Sequence, residues 1–252
     1  MSTVLIPLPS QGFDPTEAGV PWRELTQRGH RVLFATPDGR PAQADPRMLL
    51  GTGLGLLRPL LQADGHGIAA HDAMAASPEF CSPVSYAAAC GTAFDALLLP
   101  GGDARGMREY LESTAVQGLA TMAFESQRVV GAICHGVVAA ARAKGSAGRS
   151  VLHGRRTTAL TQDLELSAWA LTGLWLGNYY RTYPATVQAE VVSVLAQPDH
   201  FIHGPLALRR DAPGHLERGF VVRDGNYLSA RWPGDAHRFA AEFSAMLEPD
   251  SG

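Results

Sequence analysis

The sequence predicts an α/β fold: an open, mostly parallel sheet with helices on both faces. Three observations carry this. The chain opens strand–helix–strand, over residues 3–8, 17–28 and 31–37, and a helix between two strands makes the crossover that parallel pairing requires. The strand candidates are continuous apolar runs rather than alternating ones, as in sheets buried on both faces. Two later runs, 94–100 and 129–133, have the same character and each leads toward a helix.

Composition suits one such unit. The chain has 252 residues, 46% of them hydrophobic, enough for one substantial core, so a single domain over residues 1–252 is expected. Charged residues make up 18%, below the usual share of about a quarter. The formal net charge is −3, and Lys144 is the only lysine. With no basic run and no basic–aromatic stripe, no nucleic-acid partner is expected. Three cysteines, Cys81, Cys90 and Cys134, in no regular spacing argue against a disulfide framework and for a reducing compartment. There is no CxxC pair and no HExxH, which argues against a structural zinc site. The first residues carry no basic segment and too short an apolar run for a signal peptide, and no stretch reaches membrane-spanning length. The expectation is a soluble cytoplasmic protein with no membrane partner.

Taken in order, residues 3–8 read as the first strand, with Pro7 and Pro9 at its end, where a missing N–H is tolerated. Residues 10–16 form a loop, and the helix at 17–28 stops at Gly29. Residues 38–92 are the least legible. Gly51-Thr52-Gly53-Leu54-Gly55 looks superficially like a dinucleotide loop, but the GxGxxG spacing is missing and no strand runs directly into it. Short helices are expected at 56–61 and 68–74, with His66 and His71 as surface or lid residues. The strand at 94–100 ends in Gly101-Gly102-Asp103. Two glycines after a central strand leave N–H groups open, which suits either an oxyanion site or a plain tight turn. Helices follow from about Arg105 and at 114–126, before strand 129–133. Residues 155–160 read as a fifth strand, delivering Asp163 and Glu165 to the C-terminal sheet edge, where sites form in open parallel sheets. A helix at 164–176, an aromatic loop at 177–184 and a helix at 186–195 come next. A hairpin at 220–230 turns at Asp224-Gly225, and a helix at 235–247 closes the chain.

The candidate reactive residue is Cys134. The apolar, β-branched run 129–133 changes at Cys134-His135-Gly136 into Val-Val-Ala-Ala-Ala-Arg-Ala-Lys, which reads as a helix ended by Gly145. A strand entering a helix with no loop forces a sharp turn and pushes the turn residue out at the sheet edge. Gly131 and Gly136 flank that turn without crowding it. This is the layout of a nucleophile elbow. The helix N-terminus is expected to favour thiolate, against the bland alternative of a buried cysteine acting as a small hydrophobe.

Three motifs then agree in order and spacing: Thr16-Glu17 with its helix and the strand 31–36, Leu98-Leu99-Pro100-Gly101-Gly102, and Ala132-Ile133-Cys134-His135-Gly136. Together they resemble the ThiJ/PfpI family, of the class I glutamine amidotransferase-like superfamily, over nearly the whole chain. The resemblance implies a flavodoxin-like open sheet. Residues 38–92 and 162–215 resemble the insertions, or lid region, of the branch containing glyoxalase III enzymes and Hsp-type holding chaperones. It also implies roles. Cys134 matches the nucleophile, His135 the histidine beside it, and Glu17 the acid that hydrogen-bonds the thiol. Gly102 and His135 match the backbone donors of the oxyanion site. Glu165 best matches the carboxylate that orients the histidine, with Asp163 as the fallback. Asp103, Tyr180 and Arg181 are candidates to line the pocket.

The function this implies is a cysteine-dependent, glyoxalase III-like enzyme. It would convert a small 2-oxoaldehyde to a 2-hydroxy acid with no metal and no organic cofactor, as a homodimer. A stress-response holding chaperone or redox sensor is the alternative. A PfpI-type peptidase and an amidotransferase glutaminase fit less well. The glutaminase pattern places His-x-Glu near the C-terminus, and here His237 is followed by Arg238-Phe239.

Overall fold

The computed structural model describes residues 1–207 and 209–248. Position 208 and residues 249–252 of the expected single domain lie outside the described residues. The strands are β1 (Thr3–Pro7), β2 (Gln11–Phe13), β3 (Arg31–Thr36), β4 (Gln43–Ala44), β5 (Val84–Ser85), β6 (Ala96–Leu99), β7 (Val129–Ile133), β8 (Val221–Asp224) and β9 (Tyr227–Ala230). Seven of them form one sheet in the order β5-β3-β1-β6-β7-β9-β8, while β2 pairs with β4 alone. Every pairing in the large sheet is parallel except β8 with β9. The predicted flavodoxin-like, mostly parallel α/β architecture is present.

The apolar runs occupy the centre because their side chains are covered from both sides. Val4, Leu5, Ile6, Leu97, Leu98 and Leu99 are all fully buried. Helix Pro15–Gln27 makes the crossover from β1 to β3. It packs against helices Gly65–Ala75 and Ala236–Ala245, and helices Thr114–Glu125, Gly136–Arg142 and Val187–Val194 form a second group. Gly131, expected to serve the turn at Cys134, serves packing within β7 instead. A β-carbon there would lie 2.7 Å from Phe243 Cδ2 and 2.9 Å from Phe239 Cζ. Without it, those two rings, stacked with centroids 6.0 Å apart, rest directly on the strand.

The expected fifth strand at 155–160 is not in the sheet. The place beside β7 belongs to β9, in register from Val130 with Tyr227 to Ile133 with Ala230. All four residues of β9 are buried, whereas the 155–160 segment opens with two arginines that a fully covered strand cannot accommodate. That segment runs alongside instead. Thr157 forms a lone bridge with Phe201, and the Thr158 amide donates to Ser229 Oγ at 2.9 Å. Within 38–92, Gly51 is the left-handed stop of the short helix Pro46–Leu50. His71, expected at the surface, is buried with its ring 6.2 Å from that of Phe13. Among the described residues no helix is long and apolar enough to cross a membrane.

Gly131→Val puts a branched side chain into the Phe239–Phe243 contact. The expected loss is ~1–3 kcal/mol of unfolding free energy, read as a lower urea midpoint at unchanged slope. An unchanged midpoint would mean that the two rings yield without cost.

Candidate active site

Only Cys134 and His135 separate β7 from helix Gly136–Arg142. The turn is tight enough that Cys134 takes φ 57°, a left-handed conformation that side chains ordinarily avoid. A β-carbon at Gly136 would collide with the carbonyl oxygens of Leu99 and Pro100, so only glycine lets the helix start this close to β6. The strained residue is held from the other side, where its amide donates to the Ala230 carbonyl at 3.1 Å.

Glu17 reaches the thiol from the first crossover. Asp14 caps helix Pro15–Gln27, its Oδ1 accepting from the amides of Thr16 at 2.7 Å and Glu17 at 3.0 Å. The Asp14 amide donates to the Gly101 carbonyl at 2.9 Å. The Gly101 amide in turn donates to Glu17 Oε2 at 2.8 Å. These bonds lock the loop after β6 to the helix start. Glu17 is fully buried. Its Oε1 makes no hydrogen bond of ordinary geometry, and the carboxyl stands against the Cys134 thiol.

His135 is buried beside them. Its Nδ1 lies 3.6 Å from Cys134 Sγ, within the longer reach of sulfur. The same atom lies 3.6 Å from Asp103 Oδ1, a contact rather than a hydrogen bond. Burial, with help from Arg142, pushes the imidazole down to about 4, so it is neutral at neutral pH. Burial and then the charges of Asp14, Asp45 and Glu165 hold the Asp103 carboxyl well above its usual range. Glu17 is raised in the same way, by burial and then by Asp14 and Asp103. The thiol is pushed up too, by burial first and then by Glu17, Asp103 and Asp14. This corrects the expectation of a resting thiolate. A helix end contributes roughly 0.3–1 kcal/mol, which is small beside withdrawing an anion from water. Among the described residues the Gly102 amide donates no backbone hydrogen bond, and the His135 amide faces the Cys134 sulfur.

The structure corrects the predicted partner of His135. Glu165 is buried, but its Oε2 accepts from the Val187 amide at 2.8 Å and its Oε1 lies 3.5 Å from Arg181 Nε. It anchors the start of helix Val187–Val194. Asp163 is exposed. The carboxyl nearest His135 is Asp103, at the C-terminal end of β6. The Glu165 expectation relied on residues 155–160 being a neighbouring strand, whereas the neighbours of β7 are β6 and β9. Glu165 still reaches the same space. A cavity of about 180 Å³ is lined by Cys134, Asp103, Glu165, Tyr180, Arg210 and Trp232 among others. Arg181 lies outside it, in a separate cleft with Arg105 and Arg108. Larger clefts, this one and one between Arg23 and His237 among them, hold no cysteine. Arg210 and Trp232 were not foreseen; no pattern in the sequence marks distant loop residues that fold over a sheet edge. Among the described residues no group of three or more His, Cys, Asp or Glu could hold a metal ion.

Fold and site together define an α/β protein whose strand–helix elbow presents a buried cysteine between a histidine and a carboxyl. The chain belongs to the ThiJ/PfpI family-like group, whose family model matches residues 8–205. Among curated proteins it is similar to an uncharacterised protein of Schizosaccharomyces pombe, 29% identical over 146 residues. That match takes in 55% of this chain and 53% of the relative, so the matched stretch spans about half of the relative's length. Three solved structures are similar in fold. The Rapid Encystment Protein of Francisella tularensis has a TM-score of 0.72 at 16% identity, covering 99% of this chain and 100% of that one. Glyoxalase III of Candida albicans has a TM-score of 0.68 at 18% identity, covering 98% of each. DJ-1beta of Drosophila melanogaster has a TM-score of 0.59 at 17% identity, covering 98% and 91%.

The buried Glu17 has a pH signature. Folded Glu17 keeps its proton above the ordinary value of 4.5, so this contribution to stability is complete below that value and falls as pH rises. Glu17→Gln has no proton to lose. Its melting temperature is expected to gain on the parent as pH rises above 4.5. Equal pH slopes for the two proteins would place an ionised Glu17 in the fold.

Proposed function

We propose that this protein is a cysteine-dependent enzyme acting on reactive 2-oxoaldehydes, converting them to 2-hydroxy acids without a cofactor. The observation that carries the reading is Cys134 Sγ in the cavity wall, 3.6 Å from a neutral His135 Nδ1 and against a raised, proton-bearing Glu17. Family membership and the fold shared with a glyoxalase III support it.

The steps balance on these groups. His135 Nδ1 takes the thiol proton as sulfur bonds to the aldehyde carbon, and returns it to the resulting oxyanion, held meanwhile by the Gly102 and His135 amides. The product is a hemithioacetal. Glu17 then gives its proton to the ketone oxygen and takes the hydrogen leaving the former aldehyde carbon, forming an enediol. Return of a proton to the ketone carbon, with loss of the hydroxyl proton, gives a thioester of the 2-hydroxy acid. Water cleaves it and restores the thiol. The aldehyde carbon is oxidised by the two electrons that reduce its neighbour, so no external redox partner enters. Asp103, 3.6 Å from His135 Nδ1, favours the protonated imidazole that forms when the thiol proton is taken.

A second reading, a holding chaperone, draws on the exposed apolar side chains Leu56 and Leu174. Suppression of client aggregation equally by the parent and Cys134→Ser would be its mark.

Purified protein with methylglyoxal is expected to yield lactate, Cys134→Ser none, and Asp103→Asn at least roughly tenfold less per unit time. Absence of lactate from the parent protein would end the aldehyde reading.

A further inference from the structure

The cavity above Cys134 is unlike a site built for the smallest 2-oxoaldehydes. Its polar groups are few. Cys134 and Asp103 form the reaction edge, Glu165 is engaged by the Val187 amide and Arg181, Ser167 adds one hydroxyl, and Arg210, whose guanidinium lies 5.3 Å from the Trp232 ring centroid, donates to the Leu60 carbonyl. Most of the remaining wall is hydrocarbon and aromatic: Met48, Leu61, Leu160, Leu164, Tyr180 and Trp232. A three-carbon aldehyde bonded to Sγ engages only the polar edge and leaves this wall facing water.

The apolar surface also continues outward. Leu60 and Leu171 line the cavity yet are 54% and 49% exposed, so they carry its wall across the mouth. Leu171, Leu174 and Trp175 are three and four residues apart on helix Gln162–Leu176 and share a face. Leu174 is wholly exposed and Trp175 half exposed. The Trp175 indole N–H donates to the Gly53 carbonyl at 2.9 Å, which ties this helix to the loop that precedes Leu56 and Leu60. At the mouth, Leu60 and Leu171 from two separate chain segments carry the cavity wall out to solvent. An apolar wall that runs from a thiol to exposed leucines at the mouth suits an apolar chain on the group bonded to that thiol.

We infer that the preferred substrate carries an aliphatic chain on its carbonyl group, lodged along Leu60, Leu171 and Trp232, rather than a bare methyl. This rests on the aldehyde reading for its chemistry, and on the wall alone for its specificity. Burying one methylene is worth ~0.8 kcal/mol, about fourfold in rate.

The test compares kcat/KM for methylglyoxal with its homologues carrying ethyl, propyl and pentyl groups in place of methyl. The expected result is a rise of about fourfold per methylene over the series, with a flatter slope in Leu171→Asn. A flat or falling series in the parent protein would overturn the inference. The wall is also read without turnover in a Cys81→Ser, Cys90→Ser protein, from the rate at which N-alkylmaleimides of increasing chain length modify Cys134, relative to a free thiol and followed by intact mass. A rising maleimide series with no aldehyde turned over removes the aldehyde reading and keeps the apolar site. A flat maleimide series with no turnover removes both.

Discussion

The hydrogen bond from the Gly101 amide to Glu17 Oε2 is the constraint on which the reactive edge is built. It joins the first turn of helix Pro15–Gln27 to the loop after β6, and it does so with a carboxyl that is 0% exposed. Burying that carboxyl ionised would be costly, so it remains protonated. A protonated Glu17 can accept from Gly101 through one oxygen and present a proton to the thiol with the other. The height of the first helix, the path of the Gly101-Gly102 turn and the protonation of the reactive pair are therefore one constraint. The companion bond from the Asp14 amide to the Gly101 carbonyl makes the junction reciprocal.

The charge state of the site follows from that crowding. Asp14, Glu17 and Asp103 are all raised by burial before any other influence, and each makes the ionisation of the next less favourable. His135 is held neutral. The reactive edge thus crowds three carboxyls raised by burial against a neutral imidazole and a raised thiol.

The sheet was legible from sequence where strands are buried on both faces. The runs at 3–8, 31–37, 94–100 and 129–133 are apolar over the residues that enter the core, with Arg31 and Asp95 exposed near their starts, and all four form central or near-central strands. The Cys134-His135-Gly136 turn was legible because its steric demands fall on adjacent residues. The assignment at 155–160 failed because strand placement is a competition. Tyr227–Ala230 buries completely and takes the position beside β7, leaving a segment headed by Arg155 and Arg156 outside. The carboxyl nearest the histidine was missed for the same reason. Once β6 is the neighbour of β7, Asp103 is the acid at hand, and that adjacency belongs to the topology. The cavity wall was least legible of all, since Leu60, Leu171, Arg210 and Trp232 meet only after four distant segments have folded.

The pairing of β7 with β9 bears on the order of events during synthesis. β7 and its helix leave the ribosome long before the closing hairpin does. Until residues 227–230 arrive, one side of β7 is an open edge, and the Cys134 amide lacks the Ala230 carbonyl that steadies its left-handed turn. Nascent chains in that interval combine an unpaired apolar strand with an uncovered thiol, two features that invite misassociation. The late hairpin therefore acts as the closing bolt of the reactive turn, and the chain is vulnerable to premature encounters for as long as that bolt is missing.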